Sequence, residues 1–225
     1  MKILGLDTAL GACSVAVLED ARVLAHVHVD MVRGHAEALA PMVETAMKDA
    51  GLAFAALDRL AVTTGPGTFT GQRVGLAFAR GLALALKIPA IGVTTLDAMA
   101  EEALSQTGCS CAVAASDAKR GEVYLGARNK SGRAVLAPVL LSVERAIDAI
   151  TERAAGWGEF VLAGTAAETL VPLLRARGAN PAKSEVTQPD AIFVARLAAR
   201  ETPTGEAPRP LYLRAPDAKL PVSVP

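Results

Sequence analysis

Two aspartates stand at the ends of short apolar runs: Asp7 after Ile3-Leu-Gly-Leu, and Asp117 after Ala112-Val-Ala-Ala-Ser. Each opens a tight turn into another strand-like segment. Carboxylates so placed can flank a nucleotide or its cation, chemistry that also needs a base and phosphate donors close by. Thr8 supplies one hydroxyl beside Asp7, with no lysine or arginine in the same turn, whereas Lys119 and Arg120 lie beside Asp117. Asp7, Thr8, Asp117, Lys119 and Arg120 therefore form a candidate nucleotide cleft. The competing reading is that charges in a strand turn are solvated punctuation, because function resides in a site and not in a fold.

Gly65-Pro-Gly-Thr-Phe-Thr-Gly71 joins a strand to a helix. Its glycines permit either a concave turn that aims backbone amides at an anion or simply a tight strand-to-helix connection. No Gly-Lys-Ser/Thr follows, and the glycine spacing misses the dinucleotide fingerprint. His26 and His28 share one strand face, but no third ligand is adjacent and zinc wants three or four. No metal site is expected there. Cys13, Cys109 and Cys111 lack a paired CxxC arrangement and read as reduced structural thiols.

These residues ride on two similar runs of elements. The strands Ile3 to Asp7, Cys13 to Leu18 and Val23 to Val29 are matched by Ala112 to Asp117, Glu122 to Ala127 and Val135 to Leu140. Helices are expected over 35–50, with Pro41 marking either a kink or the start, over 72–86, and over 96–106 with Thr95 as cap. A second set is expected over 142–153, 166–176 and 190–201. A duplicated three-strand unit followed by helices is the layout of an α/β, actin-like (ribonuclease H-like) two-lobed ATPase fold, each lobe a mixed sheet with helices. Gly108 divides the chain into lobes over 1–107 and 108–225, the tail packing back on the body.

The 225 residues are 52% hydrophobic and carry 23 lysines and arginines against 23 aspartates and glutamates. No global field draws the chain to nucleic acid or to an anionic membrane. No apolar segment reaches the roughly 20 residues of a membrane span, and no signal-peptide core precedes Asp7, so a cytoplasmic location is expected. The segment Val74 to Leu86 is apolar all round, with Arg80 its one charge, and Gly71, Gly75 and Ala79 fall on one line. Such a helix lacks a wet face and invites a protein partner.

Ile3 to Thr8, Arg33-Gly-His-Ala-Glu37, the block Gly65 to Gly81, Ile88 to Val93, Asp117 to Tyr124 and Pro210-Leu-Tyr-Leu-Arg214 together resemble the TsaB (YeaZ) family. The resemblance implies a non-catalytic subunit that binds and activates TsaD in threonylcarbamoylation of the adenosine next to the anticodon in tRNA. It implies TsaE, an ATPase, as a further partner, a homodimer when the chain is alone, tRNA contact only through the complex, and no membrane. It also implies that the first two helices pack against the matching pair of the partner. Leu39, Met42, Val43, Met47, Gly71, Val74, Gly75, Leu76, Ala77, Phe78 and Arg80 are the interface candidates. TsaD-type sequences carry a His-x-x-x-His metal pair whose positions here are Thr95 and Met99, so that centre is not expected. No intrinsic cofactor is implied, although ATP or ADP fits at the partner joint. The alternative is an ATP-dependent phosphotransferase of the sugar-kinase class built around Asp7 and Asp117; a glycoprotease-type metalloprotease is disfavoured by the missing histidine pair.

Overall fold

The pleat of the first strand sets the layers. In β1 (Lys2–Asp7), Leu4 and Leu6 face one way, while Ile3 and Gly5 face the other. The structure, a computed structural model, describes residues 1–214. β2 (Ala12–Glu19) and β3 (Arg22–Asp30) continue from β1 as an antiparallel meander. On its other side, β4 (Arg59–Thr63) and β5 (Ala90–Val93) add parallel strands, giving the order β3-β2-β1-β4-β5.

The second sheet repeats this plan. β6 (Cys111–Lys119), β7 (Glu122–Asn129) and β8 (Ala134–Ser142) form the meander, and β9 (Phe160–Ala163) and β10 (Ala182–Lys183) complete the order β10-β9-β6-β7-β8. The duplicated layout expected from the strand-turn spacing is therefore present in both sheets.

α1 (His35–Asp49) and α2 (Phe69–Leu86) cover the Leu4 and Leu6 face of the first sheet. α1 runs from His35 through Pro41 without a break, so its start is Gly34 and not Pro41. α2 begins earlier than the expected Gln72 because Thr68 caps it, its hydroxyl accepting from the Gly71 amide at 3.1 Å. α4 (Val143–Trp157) and α5 (Ala167–Ala176) cover the outer face of the second sheet.

The two remaining helices are exchanged. α3 (Thr95–Thr107) follows β5 of the first sheet, yet Leu96, Met99, Ala100 and Ala103 pack on Ala112, Ala114, Val161 and Ala163 of the second. α6 (Ala191–Arg200) follows β10 of the second sheet, yet Val194, Ala195 and Ala198 pack with Ile3, Ala16 and Ala61 of the first. α3 is capped by Thr94, whose hydroxyl accepts from the Asp97 amide at 3.0 Å, and not by Thr95 as expected. Gly108, at φ 71°, ends α3 and opens the second repeat. The packing units, however, cross the 1–107 and 108–225 division, since each sheet is covered by a helix from the other segment. Residues 215–225 of the expected second lobe lie outside the described residues.

Gly5 makes the α6 crossing feasible. A Cβ there would overlap the Ala191 carbonyl oxygen and press on the Ala195 side chain. At the other end, the buried Arg59 guanidinium on β4 donates to the carbonyls of Ala198 and Glu201, which end α6. Gly5→Ala is expected to push α6 off the sheet and cost about 1–3 kcal/mol, as overpacking does. Urea unfolding checks this: an unchanged midpoint would show that α6 is not held against β1.

Candidate functional site

Asp7 ends β1 and is fully buried. Its Oδ1 accepts from the Thr63 hydroxyl at 2.6 Å and from the Ala9 amide at 3.2 Å, while Oδ2 is buried without a hydrogen-bond partner. Burial pushes its carboxyl from 3.8 up to about 7, against the opposing pull of the Thr63 hydrogen bond. Thr8, equally buried, donates its hydroxyl to the Gly71 carbonyl at 2.7 Å and accepts from the Gly75 amide at 3.0 Å.

The loop before α2 closes over this turn. Added Cβ atoms at Gly67 and Gly71 would overlap the carbonyl oxygens of Ala9 and Thr8. The Thr68 amide donates to the Ala9 carbonyl at 2.8 Å, and the Gly71 amide is taken by the cap. The Thr68 and Gly71 amides are thus spent inside the chain and not free for an anion. Beyond the turn, Leu10 packs against the α3 cluster of the second lobe, and Gln188 accepts from the Gly11 amide at 2.8 Å.

The cleft residues expected from the sequence are therefore not brought together around an open space. Asp7 and Thr8 have no surface to offer a ligand, because the loop before α2 rests on their turn. Asp117 is exposed; it accepts from the Lys119 amide at 2.7 Å and pairs with its ammonium at 2.8 Å, which holds its carboxyl below the ordinary value. Lys119, the last residue of β6, and Arg120, the first of the two-residue turn to β7, take left-handed φ of 64° and 60°. Thr95 and Met99 are fully buried, Met99 within the α3 cluster, so the residues at those two positions do not fit a metal centre. Cys13 and Cys111 are buried thiols pushed up to about 12 by burial.

The expected interface residues divide by the phase of their helices. Leu39, Met42, Val43 and Met47 on α1, with Gly71, Gly75 and Leu76 on α2, face the sheet or the β1–β2 turn and are buried. A side chain already enclosed in its own core has no surface for a partner, and these positions are corrected accordingly. Val74 and Phe78 are half-buried, and Ala77 and Arg80 are exposed. Arg80 is engaged within the chain, its Nε donating to the Pro208 carbonyl at 2.8 Å.

What α2 presents outward is a different stripe. Ala77, Gly81, Leu84 and Ala85 are exposed at spacings of three and four, and Leu84 keeps 81% of its surface. Val32 before α1 is 96% exposed, and Ala36 and Ala40 on α1 are open as well. The segment before Arg214 straps one flank of α2: Tyr212 stacks on Phe69 with centroids 5.9 Å apart and accepts from Arg73 Nε at 2.9 Å. Gly81, Leu84 and Ala85 were missed in the sequence because periodicity identifies stripes but not which of them faces the sheet.

A sequence model of TsaD, tRNA N6-adenosine threonylcarbamoyltransferase, matches residues 23–199. The tRNA threonylcarbamoyladenosine biosynthesis protein TsaB of Escherichia coli is 35% identical over 95% of both chains. This chain belongs to the TsaB family. The solved structure of YeaZ from Pseudomonas aeruginosa is 32% identical, with a TM-score of 0.76 over 94% of this chain and 99% of that one. The ROK hexokinase of Thermus thermophilus, 19% identical, matches 88% of this chain and 98% of that one with a TM-score of 0.56. That likeness shows the shared actin-like, sugar-kinase fold. In this TsaB-family chain, the end of the first strand is core.

Because the folded carboxyl of Asp7 titrates near 7 and the unfolded one near 3.8, the folded state holds its proton more tightly. Stability is fully present below the unfolded value, falls as pH rises from about 4 to 7, and is level above that. Asp7→Asn removes this loss, so the variant is expected to gain on the natural chain by up to about 4 kcal/mol between pH 4 and pH 8. Urea midpoints taken across that range check it; parallel curves would contradict a buried, proton-holding Asp7.

Proposed function

We propose that this chain is a non-catalytic subunit that binds TsaD and activates it in threonylcarbamoylation of the adenosine next to the tRNA anticodon. The observation that carries the reading is the enclosure of Asp7 and Thr8 beneath the Gly65 to Gly71 loop in a chain of the TsaB family. A phosphotransferase needs its carboxylate within reach of the reacting groups, and a buried carboxyl is out of reach. The sugar-kinase alternative therefore loses its central residue.

The partner face in this reading is the outward stripe of α2, centred on Ala77, Gly81 and Leu84, with Val32, Ala36 and Ala40 alongside. Gly81 has no heavy atom near its missing Cβ, so a helix backbone can approach it closely. Small residues around one large apolar anchor suit helix-on-helix docking. In the absence of TsaD the same stripe serves a homodimer. TsaE joins the assembly as ATPase, tRNA is met through TsaD, and ATP or ADP binds at the joint with TsaD.

Leu84→Glu is expected to leave the fold intact, because the side chain is solvent-exposed, and to weaken association with the cognate TsaD by about tenfold or more. Co-elution of purified chains at micromolar concentration measures this. Equal co-elution of natural and Leu84→Glu chains would refute the proposed face, and failure of the natural chain to co-elute would refute the partnership itself.

A further inference from the structure

The structure supplies what the sequence withholds beside His26 and His28. These side chains project from one face of β3, the edge strand of the first sheet, at alternate positions. Asp190, the N-cap of α6, reaches the same spot from the far end of the chain. Its Oδ2 lies 2.9 Å from His26 Nε2 and 3.7 Å from His28 Nδ1, and the three donor atoms are all within 4.8 Å of one another. We propose that His26, His28 and Asp190 form a zinc site with three protein ligands and one position open to water.

Tetrahedral bonds of 2.0–2.1 Å separate neighbouring ligand atoms by about 3.3 Å. The two distances to Asp190 lie on either side of that value, so small side-chain rotations bring the donors into a zinc sphere. Two imidazoles and one carboxylate form a borderline donor set that suits zinc better than magnesium or calcium.

The surrounding groups hold the ligands from behind, as outer partners of a metal do. Asp190 Oδ1 accepts from the Ile192 amide at 2.7 Å, which leaves Oδ2 turned to the histidines. His28 Nε2, the nitrogen away from the cluster, is 3.5 Å from Asp30 Oδ1. On the ligand side, Ser14 Oγ, held by the Ala191 amide at 3.0 Å, lies 3.5 Å from His26 Nε2 itself, the nitrogen that faces Asp190.

Charge favours the same occupant. Asp190 and Asp30 put two carboxylates beside two imidazoles. A divalent cation at the focus offsets that excess. The histidine side chains keep about 30% of their surface and Asp190 16%, so an ion can enter and retain a water ligand. Bound there, zinc would tie the β3 edge to the start of α6.

The test uses the full chain, free of any affinity tag and stripped with a chelator, titrated calorimetrically at neutral pH with zinc alone and then with cobalt. One equivalent of zinc with micromolar or tighter affinity is expected, and the cobalt form should show the visible absorption of a four-coordinate ion. His28→Gln should weaken zinc at least about tenfold and abolish the cobalt band. Asp190→Asn should do the same while preserving the helix cap, since asparagine caps as well as aspartate. His35→Gln, away from the cluster, should change neither. Absence of binding by the natural chain, or undiminished binding in His28→Gln or Asp190→Asn, would overturn the site.

Discussion

The loop before α2 rests directly on the β1–β2 turn, and this contact sets the character of the molecule. Gly67 and Gly71 let the backbone come up to the carbonyls of Ala9 and Thr8, and Thr8 then ties both Gly71 and Gly75. A side chain at either glycine would hold the loop away and open the space in which a kinase of this fold could admit phosphate. Asp7 ends the first strand inside the core, and the buried carboxyl keeps its proton up to about 7.

The same contact fixes the direction of α2. With its N-terminus sewn to the turn and its inner face packed on the sheet, the helix must point Ala77, Gly81 and Leu84 outward. The strap from Pro208 to Arg214 covers one flank through Arg73, Arg80 and Phe69 and leaves this stripe bare. At the opposite face of the sheet, Gly5 and Arg59 hold the two ends of α6. A helix exchanged from the other half of the chain in this way couples the lobes through packing and not only through their connection.

Much of the fold was legible because local signals were strong. Apolar runs interrupted by short turns placed both three-strand meanders, and Ser142 was recognisable as the cap of α4. Gly65 to Gly71 was legible as a strand-to-helix connection, but its two readings differ only in what the amides face. That is decided by Ala9, a residue far away in sequence. The exchange of α3 and α6 was not legible, since amphipathic spacing reports that a helix has an inner face without naming the sheet it covers. The same limit put Leu39, Met42, Val43 and Met47 at the interface when they belong to the core, and it hid Leu84. Asp190 escaped notice because its meeting with His26 and His28 depends wholly on where α6 crosses β3.

Whether the first-strand site is truly closed can be measured by calorimetric titration of the isolated chain with ATP and magnesium. A closed turn predicts no saturable heat up to millimolar nucleotide. Stoichiometric binding of ATP at micromolar affinity, lost in Asp7→Asn, would contradict the account at its centre.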